Sequence, residues 1–249
     1  MSTEKFYDDI SEEYHLIASN WDAAVRDQGR VLGKLIGGEA RTVLDCSCGI
    51  GTQAIGLALQ GYEVTASDLS SKAVARARAE ADRLGATVGF AVSDFRELEK
   101  RVSGTFDAVI SCDNSLPHLL TAPDMELSLR NVFSKLRPTG TLLMSIRDYD
   151  QILTDPPTGM PPRKYADHLG TRIYLQTWDW SKDNTYELEL FLLKLQEESW
   201  KVQSYKTRYR AWKRSELDSI LGEVGFENLS WLTPEDSGYY QPVLRATRS

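Results

Sequence analysis

A chain of 249 residues with a formal net charge of −7 and a pI near 5.1 lacks the basic face that a phosphate backbone demands, which argues against DNA or RNA as partner. Hydrophobic residues make up 41%, enough for the core of one large α/β domain, or of a core with a small cap. The three cysteines, Cys46, Cys48 and Cys112, are an odd count at the wrong spacing for a Cys-x-x-Cys site, so neither a disulfide framework nor a metal is expected. No apolar run reaches the ~18 residues a membrane span needs. The expectation is a soluble cytoplasmic protein with no membrane partner, free to form a homo-oligomer.

Residues 1–39 read as helical. Phe6, Tyr7, Ile10, Tyr14, Ile17 and Trp21 recur at helical spacing with acids between them, and Val25, Leu32, Leu35 and Ile36 continue a second helix that Gly37-Gly38 closes. The pattern suits an amphipathic pair packed on a sheet, or a lid over a ligand.

Next comes the stretch on which the rest depends. In Thr42-Val43-Leu44-Asp45-Cys46-Ser47-Cys48-Gly49-Ile50-Gly51-Thr52-Gln53, a short apolar strand ends in an acid and a glycine turn, and Ala54 to Leu59 reads as a helix. Gly49 and Gly51 permit a tight turn and a close approach of ligand to backbone. Tyr62 to Leu69 is a second strand ending in Asp68. Ser71 to Leu84 is an Ala- and Arg-rich crossover helix. Val88 to Val92 ends in Ser93-Asp94-Phe95, and Phe106 to Cys112 ends in Asp113-Asn114. Four successive strands thus end in polar groups, and ligands sit at the carboxyl ends of parallel strands. Asp94 is equally suited to cap the next helical turn.

Cys112-Asp113-Asn114-Ser115-Leu116-Pro117-His118-Leu119-Leu120 leads into a helix over about Asp124 to Leu136, and a turn at Arg137-Pro138-Thr139-Gly140 leads into a fifth strand, Leu142 to Ile146. His118 has a ring that can take a proton near neutral pH, or can serve structure alone. Arg147, at the strand end, is placed to grip a carboxylate or carbonyl, or to pair with Asp148 or Asp150. The proline-rich run Asp155 to Pro162 reads as a stiff loop. Three alternating strands follow, Thr171 to Asp179, Thr185 to Leu195 and Trp200 to Tyr209, with turns at Asp183-Asn184 and Glu197-Glu198-Ser199. Ser215 to Gly225 is a helix, and Phe226 to Leu232 with Gln241 to Thr247 reads as a closing hairpin around a polar loop that carries Tyr239 and Tyr240.

Residues 40 to 148 resemble the class I S-adenosylmethionine (SAM) dependent methyltransferases. A dinucleotide site would show Gly-x-Gly-x-x-Gly, whereas here Gly51 is followed by Thr52, Gln53 and Ala54. Asp113-Asn114-Ser115-Leu116-Pro117-His118-Leu119 is similar to the corresponding run of glycine/sarcosine N-methyltransferases. The resemblance implies a Rossmann-like α/β fold: a mainly parallel seven-stranded sheet flanked by helices, with an N-terminal helical lid at 1–39, a SAM-binding core at 40–150, an antiparallel β insertion over the substrate pocket at 151–210, and a C-terminal helix with closing strands at 211–249. It implies SAM as cofactor, S-adenosylhomocysteine as product and a small-molecule substrate. Asp45, Gly49 and Gly51 would surround the methionine end, Asp68 the ribose, and Asp94 with Phe95 the adenine, with Leu69 and Asp113 completing the set. Tyr14 and Trp21 match the residues that cover SAM. Arg26 and Arg30 both stand near the place of the arginine that holds its carboxylate, and Arg30 is taken as the candidate.

His118 is the first candidate base and Tyr14 the second, while Asn114, Arg147, Tyr174, Tyr209 and Tyr239 are candidates for contact with the acceptor. One acceptor class is a small amine such as glycine or sarcosine, its carboxylate on Arg147 or Arg208. A second is an aromatic natural product, such as an indole-containing cyclic dipeptide methylated on carbon or nitrogen, its ring stacked on the cap aromatics. The wealth of aromatics favours the second, as does Asp27, which stands where the amine enzymes often carry a base. A third reading is a non-catalytic SAM-binding protein or a nucleotide-dependent oxidoreductase.

Overall fold

The computed structural model describes residues 2–249. A seven-stranded sheet forms its centre, in the order β10-β11-β5-β4-β1-β2-β3. Its parallel part is β1 (Thr42–Asp45), β2 (Glu63–Asp68), β3 (Val88–Val92), β4 (Phe106–Ser111) and β5 (Leu136–Ser145), and the antiparallel β11 (Val243–Arg248) joins β5 to β10 (Phe226–Leu232). Val43, Leu44, Ala108, Val109 and Ile110 are fully buried, as expected of strands covered on both faces. The strand order reverses between β1 and β4. A crevice opens there at the carboxyl ends.

The helices that shape that crevice come from the N-terminal third. Helix α1 (Thr3–Ile10) is capped by Ser2, and α2 (Trp21–Ile36) by Asn20, whose carbonyl accepts from Ala23 N at 3.0 Å. The expected continuous run of helix from Phe6 to Trp21 is therefore broken: Tyr14–Ile17 form a separate 3₁₀ turn. Helix α3 (Thr52–Ala58) follows the glycine loop and crosses α2 with backbones in contact. A Cβ added at Gly29 would lie 2.3 Å from the carbonyl carbon of Gly56. This approach presses Trp21 onto the loop, where its Nε1–H donates to Thr52 Oγ1 at 2.9 Å. Helix α4 (Ser71–Leu84) spans the predicted crossover, and α5 (Ala122–Lys135) covers the other face.

A second sheet of four antiparallel strands, β6 (Gly159–Asp167), β7 (Gly170–Trp180), β8 (Thr185–Gln196) and β9 (Ser199–Arg210), stands over the crevice, and α6 (Arg214–Val224) returns the chain to the core. Its first strand occupies much of what the sequence suggested was loop. Pro161 and Pro162 are accommodated because β6 is an edge strand with a register shift between Met160 and Arg163, where no ladder donor is missed. Period-two alternation puts Arg172, Tyr174, Gln176 and Trp178 of β7 on the inner face with Tyr186 and Leu188 of β8 and Tyr205, Thr207 and Tyr209 of β9. No helix among the described residues is long and apolar enough to cross a membrane.

Candidate active site: an inner crevice and an outer chamber

The inner crevice lies at the tips of β1, β2, β3 and β4. Gly49 sits in the left-handed region (φ +51°), and a Cβ there would meet nothing within 4 Å, so the backbone presents open space to the crevice. Gly51 also has a positive φ and caps α3. Asp68 shapes the loop from below. Its carboxylate accepts from Gly49 N at 2.8 Å and from Ser70 N at 3.0 Å, and burial raises its pKa. Leu69, Ser93, Asp94 and Phe95 complete this end.

Asp45 lies behind the loop. One of its carboxylate oxygens accepts from Ser47 N at 3.2 Å, and the other is buried without a partner. Burial, reinforced by nearby Asp68, pushes its pKa up to about 7 despite the backbone donors. Asp94 does both things its position allowed. It accepts from Arg96 N at 2.9 Å as a cap and pairs with the Arg96 side chain at 2.7 Å, while still lining the crevice.

Past β4 the chain turns sharply. Asp113 and Asn114 both have φ of 63°, a conformation that Asp and Asn tolerate better than most residues. The turn is held by Asp113 N donating to Ser145 Oγ at 2.8 Å and Asn114 N donating to Ser145 O at 3.1 Å. Asp113 thereby faces the junction of the two cavities, where the Tyr240 hydroxyl donates to it and burial raises its pKa. Asn114 lines the outer chamber. Its carbonyl accepts from Arg147 N at 3.1 Å and from the Tyr149 hydroxyl at 3.0 Å, and its Nδ2 is buried without a partner. The next turn carries His118. Trp212, fully buried, donates its Nε1–H to Leu119 O at 2.9 Å and fixes this segment. The His118 ring packs on Tyr209 with centroids 4.2 Å apart, Tyr7 Oη lies 3.0 Å from its Nε2, and burial pushes its pKa down to about 3.

The outer chamber, about 1020 Å³, lies between the inner crevice and the second sheet. Tyr7, Tyr14, Thr52 and Asp113 line both spaces and form the wall between them. Arg147 reaches into the chamber between the rings of Trp178 (4.7 Å) and Tyr209 (5.5 Å), and donates to the Tyr186 hydroxyl at 2.6 Å and Gln176 Oε1 at 3.2 Å. No carboxylate among the described residues pairs with it, because Asp148 and Asp150 are taken by Arg214. Tyr174 and Tyr209 line the chamber as well, and so does Trp21 at its far side.

Asp45 and Gly51 line neither cavity, and three further candidates, Arg30, Arg26 and Tyr239, lie elsewhere. Arg30 lies on the outer face of α2, exposed and paired with Asp27 at 3.5 Å, since the buried phase of that helix runs Trp21, Val25, Gly29, Leu32 and Ile36. Arg26 is also outside, donating to Asp22 O at 3.3 Å. Tyr239 points into the core, where its hydroxyl donates to Gln28 Oε1 at 3.0 Å, and its neighbour Tyr240 faces the chamber instead. Tyr7, Gln176 and Trp178 were not singled out by the sequence. Only the alternation of β7 held a usable signal, in that Gln176 and Trp178 share the face of Tyr174.

This fold and crevice are those expected of a class I SAM-dependent methyltransferase. A family model described as a methyltransferase domain matches residues 43–140. Glycine/sarcosine N-methyltransferase of Aphanothece halophytica is 31% identical over 234 residues, which cover 89% of this chain and 80% of that protein. Among solved structures, Streptomyces venezuelae DesVI has a TM-score of 0.78 at 17% identity, with 97% of this chain and 98% of that chain covered. SAM-bound CalS10, an amino pentose methyltransferase from Micromonospora echinaspora, has a TM-score of 0.75 at 20% identity, with 92% of each chain covered. The chain belongs to the class I SAM-dependent methyltransferases, and SAM is its cofactor.

Proposed function

We propose that the protein methylates an aromatic small molecule on carbon or nitrogen, with an indole-containing cyclic dipeptide as the type of acceptor. The residues that line the inner crevice suit the cofactor. Open space over Gly49 leaves room for the methionine end, the free lone pairs of Asp68 suit two ribose hydroxyls, and Asp94 with Phe95 suits the adenine. Trp21 and Tyr14 would close over it. The crevice lining contains no arginine or lysine among the described residues, so the cofactor carboxylate is left to neutral donors.

Bound SAM supplies a methyl group already activated by positive charge on sulfur. What remains for the chain is to align the acceptor, keep water out and accept a proton. The lid residues Tyr7 and Tyr14 and the second sheet would do the first two. His118 is neutral because burial disfavours its charged form, so it can accept a proton only where that new charge is compensated.

The observation that carries the acceptor class is the outer chamber. At about 1020 Å³ it is of the size that takes a drug-sized ligand, and Phe6, Tyr165, Tyr174, Trp178, Tyr209 and Tyr240 ring it. Arg147, stacked between two of these rings, would grip a carbonyl of the acceptor.

A second reading is methylation of a small amine of the glycine or sarcosine kind. The named activity of the Aphanothece halophytica relative supports it, and so does Arg147, whose lack of an acidic partner suits an incoming carboxylate. Mass spectrometry of reactions containing SAM and glycine, sarcosine or a panel of indole diketopiperazines separates the two. A methylated diketopiperazine is expected. Methylation of glycine or sarcosine alone would sink the first reading in favour of the second.

A further inference from the structure

The groups around His118 make up a unit that reaches from one cavity to the other. Tyr7 Oη is 3.0 Å from Nε2. The other ring nitrogen, Nδ1, is 3.4 Å from Thr207 Oγ1 on β9, and a backbone hydrogen bond at Arg208 favours the protonated ring. Since the ring is neutral, one nitrogen carries a proton and the other accepts. In the Nδ1–H tautomer the ring donates to Thr207 Oγ1 and its Nε2 accepts from the Tyr7 hydroxyl. Tyr209 packs on the imidazole. His118 lines the inner crevice but not the outer chamber, whereas Tyr7 lines both.

We infer that Tyr7, rather than His118, is the group that meets the acceptor's proton, and that His118 stands behind it as the proton sink. As the acceptor forms its bond to the methyl carbon, its N–H bond breaks and the proton passes to Tyr7 Oη. The proton of Tyr7 passes in turn to His118 Nε2. The imidazolium so formed replaces the positive charge consumed when sulfur takes back the electron pair of its bond to methyl. The net charge of the closed site is therefore unchanged across the step, which a buried, water-poor cavity favours.

The source of Tyr7 adds a second consequence. It is carried by α1, whose Asp8 accepts from Ser70 Oγ at 2.6 Å and whose Ile10 is fully buried. Docking of α1 through Asp8 thus sets Tyr7 beside His118.

The inference rests on the reading of the outer chamber as the acceptor site, and two measurements keep the two apart. The first is ¹⁵N NMR of histidine-labelled protein without any ligand, with the His118 signals assigned from His118→Gln. Tyr7→Phe is expected to shift the unprotonated Nε2 toward the position of a free imidazole nitrogen. A resonance unmoved by Tyr7→Phe overturns the dyad whatever the substrate is. The second uses the diketopiperazine or amine methylated in the panel above. Tyr7→Phe is expected to lower kcat by roughly 10²- to 10⁴-fold, with the calorimetric Kd for SAM within about threefold of wild type. The Tyr7→Phe/His118→Gln double variant should be no slower than the slower single variant, as for residues that act as one unit. Near-normal kcat in Tyr7→Phe, or losses that multiply in the double variant, overturns the relay. If no compound in the panel is methylated, the reading of the chamber fails, and the NMR result alone decides the dyad.

Discussion

The inner crevice and the outer chamber share four residues and are otherwise made of different material. Loops at strand tips form the crevice, with backbone N–H groups and, among the described residues, three acids (Asp68, Asp94 and Asp113) and no arginine or lysine in its lining. Side chains of the second sheet and of the lid form the chamber, which is aromatic and carries Arg147, Arg163 and Arg214. A site built from backbone geometry recognises one fixed ligand and tolerates little change. A site built from side chains can be re-tailored one residue at a time without disturbing the first. Variants in the two regions should therefore have separable effects.

The largest expected effect is in the crevice. Gly49→Val places a branched Cβ in the open space and forces it into the left-handed region, which costs about 1–2 kcal/mol in backbone strain before any clash with ligand. Affinity for SAM measured by equilibrium dialysis is expected to fall by about 100-fold or more. Next is Arg147→Met, which keeps the stem and removes the guanidinium. Loss of a charge-assisted contact predicts a fall in kcat/KM for the acceptor of roughly 10- to 100-fold, seen in initial rates at saturating SAM.

Asp45→Asn should act on stability, and in a pH-dependent way. In the wild type the folded protein keeps the Asp45 proton up to about pH 7, while the unfolded chain releases it near its ordinary value. The folded state thus binds more protons between those limits, and stability falls as pH rises through that window. Without SAM, Asp45→Asn is expected to unfold at a higher denaturant concentration than wild type at pH 8, by on the order of 2 kcal/mol, with the gap closing toward pH 4. Equal midpoints at pH 8 would show that the buried carboxylate carries no such penalty. The smallest effect belongs to Arg30→Ala. Its exposed pair with Asp27 predicts a Kd for SAM within about twofold of wild type, and a tenfold loss would bring Arg30 back as a ligand.

The same contrast explains what could be read from the sequence. The crevice follows from local order: an apolar strand, an acid, two glycines and a helix, repeated in weaker form at Asp68, Asp94 and Asp113. The helix over Ser71–Leu84 and the strand over Phe226–Leu232 were legible because periodicity and caps agreed. The chamber follows from register between distant strands, of which local alternation shows only the shared face of β7. Arg30 lies outside because adjacent residues on α2 differ in facing, and only packing of Gly29 on Gly56 fixes that phase. Tyr239 and Tyr240 are adjacent in an aperiodic loop, so nothing in the sequence chose between them. Tyr7 was one of six apolar or aromatic positions in a stripe, and its distinction arises from His118, 111 residues away. The strand over Gly159–Asp167 was hidden by prolines that only an edge position with a bulge can hold.

Calorimetric titration of SAM into Gly49→Val and Arg147→Met side by side tests the division of labour most directly. The account predicts that binding is lost in the first and matches wild type in the second. Normal binding to Gly49→Val, or loss in Arg147→Met, would contradict it.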